Sequence, residues 1–157
     1  MWRHALGAVA LWASLPGEAV ESQTTLPAER QVDSMRVELV VPRKVAVGQP
    51  VPMTLRIRNT KHQAITLYLQ GRPVAFDLVV ERPDGEVVWR RLEGAAVSAI
   101  LGVRTSAPGE VLDLKESWKQ ETRTGTRVSP GEYSVSGSVL TDGEPIRAGP
   151  VPLRIGH

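Results

Sequence analysis

Cysteine is absent from this chain of 157 residues. That removes disulfides, thiolate metal sites and cysteine nucleophiles together. Aromatic residues make up only 4%, so Val, Leu and Ile must fill the core. Histidine is almost as scarce. Of the three, His4 lies near the start, His157 is the last residue, and His62 sits in the polar stretch "NTKHQ". A hydrolytic triad would have to rest on His62 alone, so no catalytic residue is assigned and the chain is read as a non-enzyme. Long apolar runs are missing as well. The stretch from Ala5 to Leu15 is too short to cross a bilayer as a stable helix, so no membrane span is expected in the mature domain. No basic run exceeds two residues (Arg43-Lys44, Arg90-Arg91) and the formal net charge is only +2. A surplus that small, spread along the chain, is a solvated surface and excludes nucleic acid as the expected partner. "PDGE" at Pro83–Glu86 and "TDGE" at Thr141–Glu144 each place two carboxylates around a glycine. Calcium needs six or more oxygens from several positions, so both are read as hairpin turns, with no metal and no cofactor.

The first residues, "MWRHALGAVALWASLPGEA", combine Arg3 and His4 with a short apolar stretch and small residues at Gly17 and Ala19. That is the layout of a signal peptide. Residues 1–19 are read as the leader, 20–34 as a polar linker, and 35–157 as one domain. Export to the periplasm or medium follows if the leader is real. A start at Met35 would leave the protein in the cytoplasm.

From Arg36 onward the apolar period is two. Val37, Leu39 and Val41 are followed by Met53, Leu55 and Ile57, then Ile65, Leu67 and Leu69, then Phe76, Leu78 and Val80. Strands with one apolar and one polar face belong to antiparallel sheets wetted on one side. Turn residues punctuate the chain at Pro42, Gly48–Pro50, Asn59-Thr60, Gly71–Pro73, Pro83–Gly85, Pro108-Gly109, Pro130-Gly131 and Asp142-Gly143. Asp84-Gly85 joins "FDLVVER" to "EVVWRR", a hairpin signal. "GAAVSAIL" (Gly94–Leu101) is the only helix candidate, and fits a strand or a single helical turn equally. Trp89 alternates with Val87 and reads as core or edge packing. The pattern predicts an all-β fold: an immunoglobulin-like antiparallel β-sandwich of about 7–9 strands, with a barrel as runner-up.

One stretch stands out: "LKESWKQETRTGTRVSPGEYSV", Leu114 to Val135. Leu112 and Leu114 face inward on a strand ending at Trp118. Tyr133, Val135 and Val139 share a face on the next strand, with Gly137 between them. Trp118 and Tyr133 thus stand at the two ends of one long polar connection. They are expected to pack on the rim of the core and pin it, with the Tyr133 hydroxyl bonding to backbone upstream as in a tyrosine corner. Glu116 is a misfit, because alternation places it inward.

This stretch resembles the intracellular proteinase inhibitor (BsuPI) family. Trp118, Gln120, Gly125, Val128, Pro130, Gly131 and Tyr133 fall at the family's spacing. "LQGRPVAFDLVVERPDGEVVWR", with Gly71, Phe76, Asp77, the Asp84-Gly85 turn and Val88-Trp89-Arg90, adds to it, as does "APGE" at Ala107–Glu110. The match covers about Val37 to Val139. After Arg90 the family tends to carry further aromatics, where this chain has Arg91-Leu92-Glu93 and "GAAVSAIL". The resemblance implies an immunoglobulin-like sandwich that inhibits a serine protease of the subtilisin type. It carries Trp118, Gly125, Pro130, Gly131 and Tyr133 over as fold determinants, and no reactive-site residue.

An inhibitor of that kind offers a stiff, exposed, extended loop to a protease cleft at little ordering cost. Three segments qualify: Gly102–Glu110, Leu69–Phe76 and Thr122–Pro130. The last is anchored at both ends by aromatics, so Thr124, Gly125, Thr126 and Arg127 are the candidate protease-contact residues. The chain is expected to be a monomer with a serine protease as partner. The alternative is a non-inhibitory exported immunoglobulin-like interaction or scaffold module of the cell envelope, because architecture alone does not select a function.

Overall fold

The computed structural model describes residues 29–32, by backbone alone, and 34–156. The leader, its cleavage site, His4 and His157 lie outside the described residues. The described residues form eleven strands and no helix. They are β1 (Glu29–Val32), β2 (Met35–Val40), β3 (Lys44–Val45), β4 (Val51–Asn59), β5 (Ile65–Gln70), β6 (Phe76–Glu81), β7 (Val87–Arg90), β8 (Leu101–Ser106), β9 (Val111–Trp118), β10 (Gly131–Val139) and β11 (Ile146–Ile155).

A four-stranded sheet runs β1-β2-β4-β9, a five-stranded sheet runs β3-β11-β10-β6-β7, and β5-β8 form a third, two-stranded sheet. The all-β expectation holds, with three differences. There are more than nine strands, because β1, β3 and the third sheet add short pieces. Glu29–Val32, inside the stretch read as linker, pair with β2. Ladders are antiparallel except one, since β3 pairs parallel to the end of β11 at Lys44↔Arg154 and Val45↔Ile155.

Alternation sets the core. Val51, Met53, Leu55, Ile57 and Asn59 of β4 are buried, while Pro52 and Arg58 between them are exposed. Val37 and Leu39 of β2, Leu55 of β4, and Leu78, Val80, Val135 and Leu153 of the opposite sheet are each at most 1% exposed. The two larger sheets therefore face each other across one apolar layer. Gly137 of β10 marks a point of close approach. A Cβ there would lie 3.0 Å from Leu55 Cδ1 and 3.3 Å from Leu78 Cδ2. The glycine expected between the inward residues of β10 makes room for side chains of both sheets.

Two strands depart from simple alternation for physical reasons. In the β6–β7 hairpin Gly85 donates to Arg82 O, Asp84 Oδ1 accepts from Glu86 N–H, and Gly85 adopts φ +87°. A register shift then leaves Val80 opposite Trp89 but Glu81 opposite Val87. The extra residue at Val88 is a bulge, and it lets consecutive Val88 and Trp89 both pack on the core. β11 contains Pro150 and Pro152, which proline-free sheet interiors normally exclude. The Arg154 N–H points to β3, bonding Arg43 O. By alternation the missing N–H of Pro152 lies on the same outer side, which β3 does not reach.

Gly94–Ile100 is neither strand nor helix, and β8 begins only at Leu101. Ala95, Ala96, Ser98 and Ala99 are exposed, because this stretch has too little apolar surface to claim a place in the core. Glu116 does point inward at the rim, where Arg91 Nε donates to its Oε2 at 2.9 Å. The Arg91 guanidinium lies 3.8 Å over the Phe76 ring and bonds Phe76 O. A cation carried by the turn after β7 thus accounts for the misfit carboxylate.

Candidate functional site

The connection from β9 to β10 is built on three fastenings. The first is aromatic. Trp118, 2% exposed, packs at 6.2 Å and 70° against Tyr133, an edge-to-face pair, and at 6.1 Å against Trp89. Its indole N–H donates to Glu121 O at 2.8 Å, and the Tyr133 hydroxyl donates to Ser129 O. Both ends of the loop are therefore bonded to its own backbone, as expected for an aromatic at each end.

The second fastening is Gln120. Its side chain is fully buried and every polar atom is used. Nε2 donates to Ala46 O (2.8 Å) and Gln49 O (2.7 Å), and Oε1 accepts from Gly48 N–H at 2.9 Å. Gln120 adopts φ +60°, the only non-glycine positive φ among the described residues. That conformation is costly for a residue with a Cβ, and the three bonds to the β3–β4 loop hold it in place.

The third is the tip itself. Val128 N–H bonds Gln120 O, Thr122 N–H bonds Thr126 O, and Gly125 N–H bonds Thr122 O at 3.0 Å. Gly125 takes φ +81° with open space around it, so backbone conformation, not crowding, calls for glycine. The Thr122, Thr124 and Thr126 hydroxyls bridge one another. Residues 123–127 are all exposed, and Val128 closes the base from inside the core. Arg123 reaches Glu93 at 3.6 Å, tying the tip to the turn after β7.

The four candidate contact residues Thr124–Arg127 are thus together at an exposed and stiffened tip. Its shape differs from the extended loop expected, because cross-strand bonds close it into a miniature hairpin. The other two segments are largely not loops. Gly102–Ser106 lie in β8, and Ala107–Glu110 form a tight turn. There the Glu110 carboxylate accepts from Ala107 N–H and Arg104, which together hold it below the usual carboxylate range. Leu69 and Gln70 lie in β5, and Gly71–Val74 form a turn closed by Ala75 N–H to Gln70 O. His62 is exposed. Among the described residues no three His, Asp or Glu side chains cluster as metal ligands.

Two buried polar residues escaped the sequence reading as clamps. Asn59 donates to Gln63 O, Ser106 O and Ala107 O and accepts from Lys61 N–H, locking the end of β4 to the β8–β9 turn. Asp77, 3% exposed, takes Leu92 N–H and Arg90, fixing the turn after β7. The signal was faint: one polar residue at an apolar strand's end, another just after Phe76.

Two packed sheets and a pinned polar tip define the chain as an all-β domain. The intracellular proteinase inhibitor (BsuPI) family matches residues 39–144, and the chain belongs to that family. No curated protein matches the chain. Among solved structures the C-terminal domain of wzt is similar at 11% identity, covering 84% of this chain and 83% of that one, with a TM-score of 0.50. Spo0M, a sporulation control protein from Bacillus subtilis, covers 80% of this chain and 51% of its own at 14% identity and a TM-score of 0.48. A β-glucosidase from Listeria innocua is 10% identical over 78% of this chain with a TM-score of 0.44, and the chain spans only 16% of its length. At such identities the likeness concerns the fold alone.

Proposed function

We propose that this domain inhibits a serine protease of the subtilisin type, and that the Thr124–Arg127 tip makes the contact. Membership of a proteinase inhibitor family carries the first half of the reading. The exposed tip held by Trp118, Gln120 and Tyr133 supports the second. A stiff tip loses little conformational entropy on binding. Because it is a closed turn, it obstructs a cleft without offering an extended backbone for cleavage. The two facing sheets support an immunoglobulin-like reading of the fold. Residues 1–19 act as an export signal, followed by a short linker. A start upstream of Glu29 is favoured because β1 pairs with β2 over four residues, which a start at Met35 would remove.

The test is inhibition of a subtilisin-type protease by the purified domain. Replacing Thr124–Arg127 with Gly-Ser residues should abolish inhibition and leave the unfolding midpoint nearly unchanged. Inhibition that survives the swap excludes the tip. An unmodified domain without effect on any serine protease at about micromolar concentration leaves the non-inhibitory envelope module as the better reading. Cleavage within the tip during prolonged incubation would contradict the obstructive mode.

A further inference from the structure

The two-stranded sheet has an outer face and an outer edge that the other described residues do not use. Gly71 N–H bonds Ile100 O, and the ladder continues through Gln70↔Leu101, Tyr68↔Val103 and Thr66↔Thr105. Alternation in an antiparallel pair then turns the N–H and C=O groups of Leu101, Val103 and Thr105 away from β5. The same phase is visible on β5, whose Gln70 N–H and Tyr68 C=O point away from β8 and bond Leu140 and Asp142. β5 is thus covered on its outer side. β8 has no neighbour there among the described residues.

Large apolar side chains at this edge and on the adjoining outer face are exposed: Val103 by 65%, Ile100 by 57%, Leu101 by 44% and, on β5, Tyr68 by 46%. Proteins normally shield a free edge with charge, bulges or very short strands. Three other edges of this fold follow that rule. β9 carries Asp113, Lys115 and Glu116, β7 is bulged, and β3 has two residues. The outer face of β5–β8, formed by Thr66, Tyr68, Gln70, Leu101, Val103 and Thr105, holds no charged side chain.

We infer that β8 is the dimer interface of this protein, pairing antiparallel with β8 of a second copy across a two-fold axis at Val103. In that register Val103 faces Val103 of the second copy and Leu101 faces Thr105. All three N–H and all three C=O groups that each strand turns outward find partners, a match that a shifted register loses. Arg104 falls opposite Gly102, which offers no side chain to clash. Its charge is already met by Glu110 at 2.7 Å. The uncharged face of one copy becomes continuous with that of the other, giving a four-stranded sheet β5-β8-β8-β5. An isologous contact of this kind is self-complementary by construction. Stable interfaces bury about 1,200–2,000 Å². A six-residue edge is a small contact beside that range, so the dimer is weak and dissociates on dilution. This departs from the monomer expected of the sequence, and it does not depend on protease inhibition.

Sedimentation velocity of the full chain from about 1 to about 200 µM tests it. The expected result is a dilution-dependent monomer–dimer equilibrium. Val103→Pro removes an outward N–H that β5 does not need, and Val103→Lys sets two like charges on the axis. Each should weaken the dimer at least about tenfold, while Val87→Lys, an exposed apolar site on β7, leaves it intact. Unfolding midpoints check that the Val103 variants remain folded. Amide exchange of the unaltered protein gives a second readout, with Leu101, Val103 and Thr105 protected at high concentration and exposed on dilution. A monomer at every concentration, or a dimer indifferent to both Val103 changes, overturns the inference. Edge protection that persists on dilution also overturns it, by assigning the edge to another segment of the same chain.

Discussion

Replacing Gln120 separates two contributions that coincide in one residue. Its amide makes three bonds to the β3–β4 loop, at 2.7, 2.8 and 2.9 Å. Each is worth about 1 kcal/mol net. The loop carrying the partner groups is itself solvent-exposed at Ala46, Gly48 and Gln49. Water can reach the orphaned groups, so the full desolvation penalty is not incurred. Gln120→Ala should therefore cost about 3 kcal/mol in urea unfolding. Alanine keeps the unfavourable φ of +60°, whereas glycine accepts it freely. Gln120→Gly should be the less damaging of the two, by about 1 kcal/mol, although it removes one more carbon. In most buried positions that order is reversed. Limited proteolysis reports the local consequence, since both variants free the Ala46–Pro50 loop from the tip and should be cut there faster. A cost below about 1 kcal/mol for the alanine variant, or a glycine variant worse than alanine, would refute the assignment of Gln120 as a strained clamp.

Trp118→Ala should destabilise by about 3–5 kcal/mol in the same assay, the range for removing a buried large aromatic. A loss below about 1 kcal/mol would mean that the ring contacts to Trp89 and Tyr133 contribute little. Tyr133→Phe keeps the ring pair with Trp118 and removes the bond to Ser129 O. It should cost about 1 kcal/mol, with the tip cut faster by proteases before global unfolding changes much. The hydrogen bond from Arg56 first, and its charge second, outweigh desolvation and hold the Asp113 carboxyl below the usual aspartate range. A lowered folded value means that the stabilisation is complete above the unfolded value and disappears as pH falls through the folded one. Asp113→Asn should thus cost under about 1 kcal/mol at neutral pH, as for a partly exposed pair. The difference should vanish in strong acid; a cost that persists there would point to shape rather than charge.

Period-two alternation was enough to place most of the sheet. Val37, Leu39, Met53, Leu55, Leu78 and Val80 are inward, as their spacing demands, because a strand has only two faces and water claims one. Trp118 and Tyr133 were legible as anchors for the same reason: each closes or opens an apolar face beside a polar loop. Gly85 was legible as a turn residue, and its φ of +87° is one a side chain resists, whereas Gly125 was marked only by the family resemblance before the structure gave it φ +81°. Other features arose only when distant segments met. Gln120 is a polar residue in a polar stretch until Ala46 and Gln49, more than seventy positions earlier, present their carbonyls to it. Glu116 is a burial error until Arg91 arrives from the other sheet. The tip's closure into a hairpin depends on the register of Gln120 with Val128, and composition carries no record of register. The free edge of β8 was hidden as well, because Gly102–Ser106 read as part of an exposed loop rather than as a strand. Which edge lacks a neighbour follows from the order of strands in space, and long-range pairing alone decides that order.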